Sequence, residues 1–151
     1  MDEVVRIKKD QISKMLATLR AAIELHDERL RELQPKEWHE DVLLRAFHDS
    51  MIQRFEYTID GFWKFLRVYL EQEQGFPVIE NGPKSVVRSA VTARMVTEQE
   101  ADALMQLIKE RNKTSHIYHE EIADEVALHI PSAHRLIALI ADRLDRHCVR
   151  K

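Results

Sequence analysis

The residues best equipped for chemistry lie between positions 111 and 118, where the sequence reads Arg-Asn-Lys-Thr-Ser-His-Ile-Tyr. Arg111 carries a permanent cation that can bind a phosphate with two hydrogen bonds, and His116 carries an imidazole that titrates near neutral pH. Tyr118 adds a phenol two residues further on. Holding a phosphodiester and moving a proton are the two tasks of a nuclease that works without a metal ion. The residue types therefore raise the hypothesis of phosphodiester chemistry in this segment.

The spacing of Arg111 and His116 limits how such a site can form. Five residues apart on a regular helix, the two side chains point about 140° away from each other. A joint site therefore requires a break around residues 112–115, which are polar and mostly poor helix formers, or a second chain that completes it. The simpler interpretation is a cationic helix end, with Tyr118 half-buried at the start of the next helix. From the spacing alone, we favour the simpler interpretation.

A metal site receives less support from the same region. His116 and His119 are one helical turn apart and lie beside Glu120 and Glu121. Two histidines supply only two nitrogen ligands, whereas zinc sites need three or four matched ligands. We predict no metal ion and no cofactor.

Composition favours a single all-helical domain. The chain has 151 residues, of which 44% are hydrophobic and 32% are charged. Only three glycines and four prolines are present, which leaves little material for the turns of a β or α/β fold. We therefore predict one all-α domain over residues 1–151.

The formal net charge is −3, so no overall basic field attracts nucleic acid. Any RNA contact would have to come from a local patch. The residues that could form such a patch are basic and lie within segment 111–118 or before it. They are Lys109, Arg111 and Lys113, with Lys84, Arg88 and Arg94.

Cysteine usage and hydropathy predict a cytoplasmic protein. Cys148 is the single cysteine and cannot form a disulfide within the chain, which suits a reducing compartment. No apolar run approaches the ~20 residues of a membrane span. The acidic N-terminus lacks the apolar core of a signal peptide.

Apolar periodicity and helix-ending signals predict an antiparallel four- to five-helix bundle. Gln34-Pro35 should end the first helix, Pro83 should open the third, and Thr97 with Glu100 has the spacing of a capping box. A break or kink is expected before Pro131. The predicted helices span about residues 2–33, 38–74, 84–95, 97–111 and 119–146.

The second predicted helix is unusually rich in aromatic residues. Phe55, Phe62 and Trp63 exceed what two packed helices need, so part of this face is expected to contact a second subunit. Glu56 and Asp60 fall on a polar ridge of the same helix, one turn apart. Gly61 interrupts the helix at a cost of about 1 kcal/mol relative to alanine. Such a glycine often lets another helix approach closely.

Two segments together resemble the HEPN domain proteins that accompany minimal nucleotidyltransferases, also called HepT toxins or nucleotidyltransferase substrate-binding proteins. The first is Arg-Phe-Glu-Tyr-Thr at 54–58, followed by Trp-Lys-Phe-Leu-Arg-Val-Tyr-Leu at 63–70. The second is segment 111–118, which is similar to the family's Arg-x4-His-x-Tyr signature. The sequence at 82–85 falls in the same order as in the family, and the resemblance spans roughly residues 1–147.

The resemblance implies a helical homodimer that cleaves RNA without a metal ion. Arg111 would hold the scissile phosphate, His116 would act as general acid or base, and Asn112 would help to position the substrate beside Lys113. Tyr118 would be the residue that a nucleotidyltransferase antitoxin modifies with AMP, which places negative charge and bulk where RNA must bind.

Three hypotheses follow from these observations, and the resemblance leads us to favour the first, with the second as its alternative. The first is a toxin-antitoxin endoribonuclease silenced by its nucleotidyltransferase partner. The second is a non-catalytic subunit that binds nucleotide or substrate for that enzyme. The third is a helical dimerisation module in which segment 111–118 is an incidental helix end.

Overall fold

A computed structural model shows a bundle of five helices in the part of the chain that it describes. These described residues are 1–77, 80–116 and 120–149, without the side chains of residues 115, 116 and 149. The helices are α1 (Glu3–Glu32), α2 (Val42–Gln72), α3 (Pro83–Thr92), α4 (Glu98–His116) and α5 (Glu120–Val149), with a short 3₁₀ turn at Pro35–Glu37. No strand occurs among the described residues, so the all-α prediction is confirmed.

Contacts at the helix ends show that α1, α2, α4 and α5 alternate in direction. The start of α1 meets the end of α2, where Asp2 donates its backbone N–H to Glu73 over 2.7 Å. Lys9 near the start of α1 lies 3.0 Å from Asp145 near the end of α5. Arg143 on α5 donates to Glu100 at the start of α4. The predicted antiparallel bundle is therefore confirmed, with α3 as a short helix between α2 and α4.

Side-chain caps explain where the helices begin. Asp2 accepts from the backbone of Val4 at the start of α1. The predicted capping box forms at the start of α4, because Thr97 accepts from the Glu100 backbone and donates its own backbone N–H to the Glu100 carboxylate. Such caps satisfy backbone donors that the first helical turn leaves without partners.

The second and third helices differ at their ends from the prediction. α2 starts at Val42 rather than near Trp38, because Pro35–Glu37 forms a 3₁₀ turn and Asp41 caps Leu44. α3 ends at Thr92, short of the predicted end at Met95. Arg94 lies between these two positions and adopts a left-handed backbone conformation with φ of 59°.

The apolar stripes of all five helices meet in one core. α2 supplies much of it, and α1 and α2 form the most extensive helix pair. Phe55 and Phe62 are buried within their own chain, at 0% and 3% exposure. The expectation that part of this aromatic surface waits for a second subunit is therefore wrong for these two residues, because the other helices cover them.

α5 also departs from the prediction. It continues from Glu120 to Val149 with Pro131 inside it, so the predicted break does not occur. The flanking residues Ile130 and Ala133 are buried, at 0% and 2% exposure. Tertiary packing on both sides of the proline thus offsets the backbone hydrogen bond that Pro131 cannot donate. No helix in the described part of the chain is both long and apolar enough to cross a membrane.

Candidate functional site

Residues 111–116 form the end of α4, which runs without interruption to His116. The break at residues 112–115 that a site within one chain would require does not occur. The Thr114 hydroxyl donates to the Arg111 carbonyl over 2.8 Å, so this polar residue bonds back onto the helix instead of ending it. On a continuous helix, backbone positions 111 and 116 lie about 140° apart around the axis. Two arrangements could bring these residues into one site, a break in the helix or a second chain. Because the helix is continuous, only the second chain remains.

Arg111 is bound by two carboxylates of α2. Its Nε lies 3.1 Å from Asp60 Oδ1 and its Nη2 lies 3.0 Å from Asp60 Oδ2, which is a bidentate pair. Its Nη1 lies 3.2 Å from Glu56 Oε2. These contacts use three of the five N–H donors of the guanidinium. Arg111 thus ties the end of α4 to the middle of α2.

The surroundings of this ion-pair cluster oppose an incoming phosphate. The side chains of Arg111, Glu56 and Asp60 are 21%, 22% and 38% exposed, so water screens the charges only partly. Hydrogen bonds to Asp60 raise the pKa of Arg111 above its ordinary value. Two carboxylates surround one cation, and an RNA phosphate would have to compete with both for the guanidinium.

The remaining predicted residues of the segment divide into two groups. Asn112 and Lys113 are exposed at the end of α4, and Asn112 already has an interaction partner. The side chain of His116 and the whole of Tyr118 lie outside the described residues, so the roles expected of them stay predictions. Among residues with described side chains, no three His, Cys, Asp or Glu side chains are grouped as a metal site would need.

The predicted basic patch is not one surface. Lys84, Arg88 and Lys109 line a groove of about 650 Å³ between α3 and α4. Arg94 lines an adjoining depression near the end of α3. Arg111 instead turns onto α2. The structure therefore brings three of the six candidate cations together in one groove, and neither Arg94 nor Arg111 lines it.

This basic groove is electrostatically suited to a phosphate group. Lys84, Arg88 and Lys109 are exposed and form no salt bridge within the described part of the chain. Lys84 also lies in the first turn of α3, where the positive end of the helix dipole adds to its charge. Glu98 and Asp102 line the α4 side of the groove, so two carboxylates offset part of the positive charge of the three basic side chains.

Two features of these sites lie beyond reasoning from local sequence. The pairing of Arg111 with Asp60 joins residues 51 positions apart. The sequence signal for this pairing is the four-residue spacing of Glu56 and Asp60, which places both carboxylates on the same side of α2. The convergence of Lys84 and Lys109 likewise depends on the packing of α3 against α4.

One comparison with known proteins identifies a family, and another finds a solved structure with a similar fold. Residues 8–145 match a family model described as nucleotidyltransferase substrate binding protein like. The chain is similar to the crystal structure of a protein from Thermus thermophilus, with 31% sequence identity and a TM-score of 0.70. That similarity covers 88% of this chain and 98% of the other. A search of curated proteins finds no match.

Proposed function

This chain belongs to the nucleotidyltransferase substrate binding protein like family, and we propose that it is a non-catalytic subunit that binds nucleotide phosphate for a nucleotidyltransferase partner. The observation that carries this proposal is the basic groove formed by Lys84, Arg88 and Lys109 between α3 and α4. A nucleotidyltransferase acts on nucleoside triphosphates, so a phosphate site is the feature that a substrate-binding partner needs.

The size and charge of the basic groove support this assignment. Its volume of about 650 Å³ falls in the range of small-molecule sites, ~300–1,000 Å³. Three cations from two helices can contact different phosphate oxygens of one triphosphate. The chain as a whole is acidic, so such binding depends on this local arrangement rather than on a general field.

Replacing Arg88 with glutamine is expected to weaken ATP binding about fivefold, because a charged contact to phosphate contributes roughly 1 kcal/mol. Isothermal titration of ATP into the purified chain measures the effect. Lys14→Gln is the matched control, since it removes one exposed cation from α1, away from the groove. Equal affinities for the Arg88→Gln and wild-type chains would count against the proposed site.

A second candidate function is a metal-independent endoribonuclease that acts as a homodimeric toxin. The observation in its favour is that Asp60 holds Arg111 in a fixed orientation on the helix that continues to His116. In this candidate function the site forms between two chains, where Arg111 binds the scissile phosphate and His116 transfers the proton. AMP added to Tyr118 by a nucleotidyltransferase antitoxin would silence the enzyme by charge and bulk.

RNA cleavage separates the two candidates. The binding-subunit proposal predicts no cleavage by the purified chain at any protein concentration, in the presence of a chelator. The ribonuclease candidate predicts cleavage that His116→Ala abolishes while helical content stays unchanged. It also predicts an AMP-sized mass increase on Tyr118 after coexpression with the nucleotidyltransferase, which mass spectrometry of the intact chain and its peptides would detect.

A further inference from the structure

A second groove shares no lining residue with the basic groove and has a different character. It has a volume of about 550 Å³ and lies between the end of α1, the start of α2 and the first half of α5. Its apolar lining includes Leu30, Trp38, Leu44, Leu128 and Pro131. We call it the α5 groove.

Two apolar side chains on the rim of the α5 groove remain open to solvent. Leu128 is 78% exposed and Trp38 is 37% exposed. One exposed leucine is ordinary on a protein surface, but a leucine and a tryptophan that flank the same concave apolar surface are typical of a protein contact. Tryptophan is also among the residues that contribute most to binding energy at interfaces.

The α5 groove contains a buried histidine. His48 is buried, and neither ring nitrogen makes a hydrogen bond to a described residue. Its Nε2 lies 3.1 Å from Asp124 Oδ1, an ion pair when the ring is protonated. His48 and Asp124 both line the groove, so this contact lies on its acidic side.

The charge of the α5 groove is negative. Asp27, Asp124 and Glu125 line it, against the single cation of Arg45. Arg45 is itself paired with Glu120. Two copies of this chain would bring these acidic surfaces together and repel each other, whereas a basic partner would be attracted.

We propose that the α5 groove is the docking site for a segment of the nucleotidyltransferase partner that carries an apolar side chain flanked by lysine or arginine. The apolar side chain would pack between Trp38 and Leu128, and the basic residues would face Asp124 and Glu125. This inference rests on the proposed function, because it assigns the surface through which that function recruits its enzyme.

Replacing Leu128 with glutamate tests the proposal. The variant is expected to bind the nucleotidyltransferase of the same genome at least about tenfold more weakly, since it puts a charged side chain, which must lose its water, into the apolar contact. Leu128 is largely exposed, so the fold should tolerate the change. Isothermal titration of the full chain with the purified enzyme gives the dissociation constant.

Leu139→Glu is the matched control. Leu139 is also an exposed leucine of α5, at 54%, but it lies outside the α5 groove. Its variant should bind within about twofold of wild type. Equal weakening by both variants, or none by Leu128→Glu, would overturn the docking site while leaving the partnership intact. Failure of the wild-type chain to bind the enzyme would overturn the partnership itself, and the docking site with it.

Discussion

Replacing Arg111 with alanine is expected to lower the free energy of unfolding by about 2 kcal/mol, between the values for exposed and buried ion pairs. The change removes three hydrogen bonds that connect α4 to α2. It also leaves Glu56 and Asp60, one turn apart on the same helix, without the cation that offsets their repulsion. Denaturant unfolding followed by circular dichroism measures the loss.

A double-mutant cycle shows whether this loss comes from the ion-pair cluster. Arg111→Ala should cost much less in a chain that already carries Asp60→Asn and Glu56→Gln, since the uncompensated charges are then gone. Lys113→Ala is the control on the same helix, and it should stay within about 0.5 kcal/mol of wild type. If Arg111→Ala also lowers the free energy of unfolding by less than about 0.5 kcal/mol, Arg111 does not stabilise the packing of α4 on α2, and its guanidinium is available to a ligand.

Replacing Gly61 with valine is expected to destabilise the fold by about 2 kcal/mol, as overpacked cores typically do. A Cβ atom built at Gly61 would clash with Met15 Sδ of α1. The Met15 side chain of α1 thus occupies the space that a side chain at position 61 would need. A branched side chain would separate the two helices that form the most extensive contact of the bundle. Urea unfolding of the variant measures the effect.

Two companion variants identify the clash as the cause. Gly61→Ala should cost little, because Met15 has a flexible side chain that can move, and because alanine gains about 1 kcal/mol in helix propensity. Met15→Ala should restore part of the stability of Gly61→Val by making room at the contact. A Gly61→Val chain as stable as wild type would show that α1 and α2 are not packed closely at this point.

Most of the fold could be predicted from local sequence because its signals are local. The Thr97–Glu100 capping box, Gln34-Pro35 and Pro83 each act within a turn of the chain, and the structure places helix ends close to all three. The errors arose where distant contacts override local preference. Residues 112–115 stay helical although they are poor helix formers, next to an arginine anchored on α2. Pro131 is likewise accommodated inside a packed helix.

The candidate sites were less predictable than the fold. The sequence singles out Arg111 by its chemistry, but the acceptors of Arg111 lie 51 and 55 residues earlier in the chain. Lys84, Arg88 and Lys109 were recognised only as members of a loose basic patch, because nothing local shows that α3 and α4 bring them to one groove. The acidic charges of the α5 groove also come from separate helices. Charge is readable from sequence, whereas its balance at a site depends on tertiary contacts.

The most direct test of the binding-subunit proposal is the change in backbone amide chemical shifts during a titration of the isotope-labelled chain with ATP. We predict that the largest changes occur around Lys84–Arg88 on α3 and Met105–Lys109 on α4, where the basic groove lies. Largest changes at residues 111–116, with the basic groove unaffected, would contradict this account and favour the ribonuclease site.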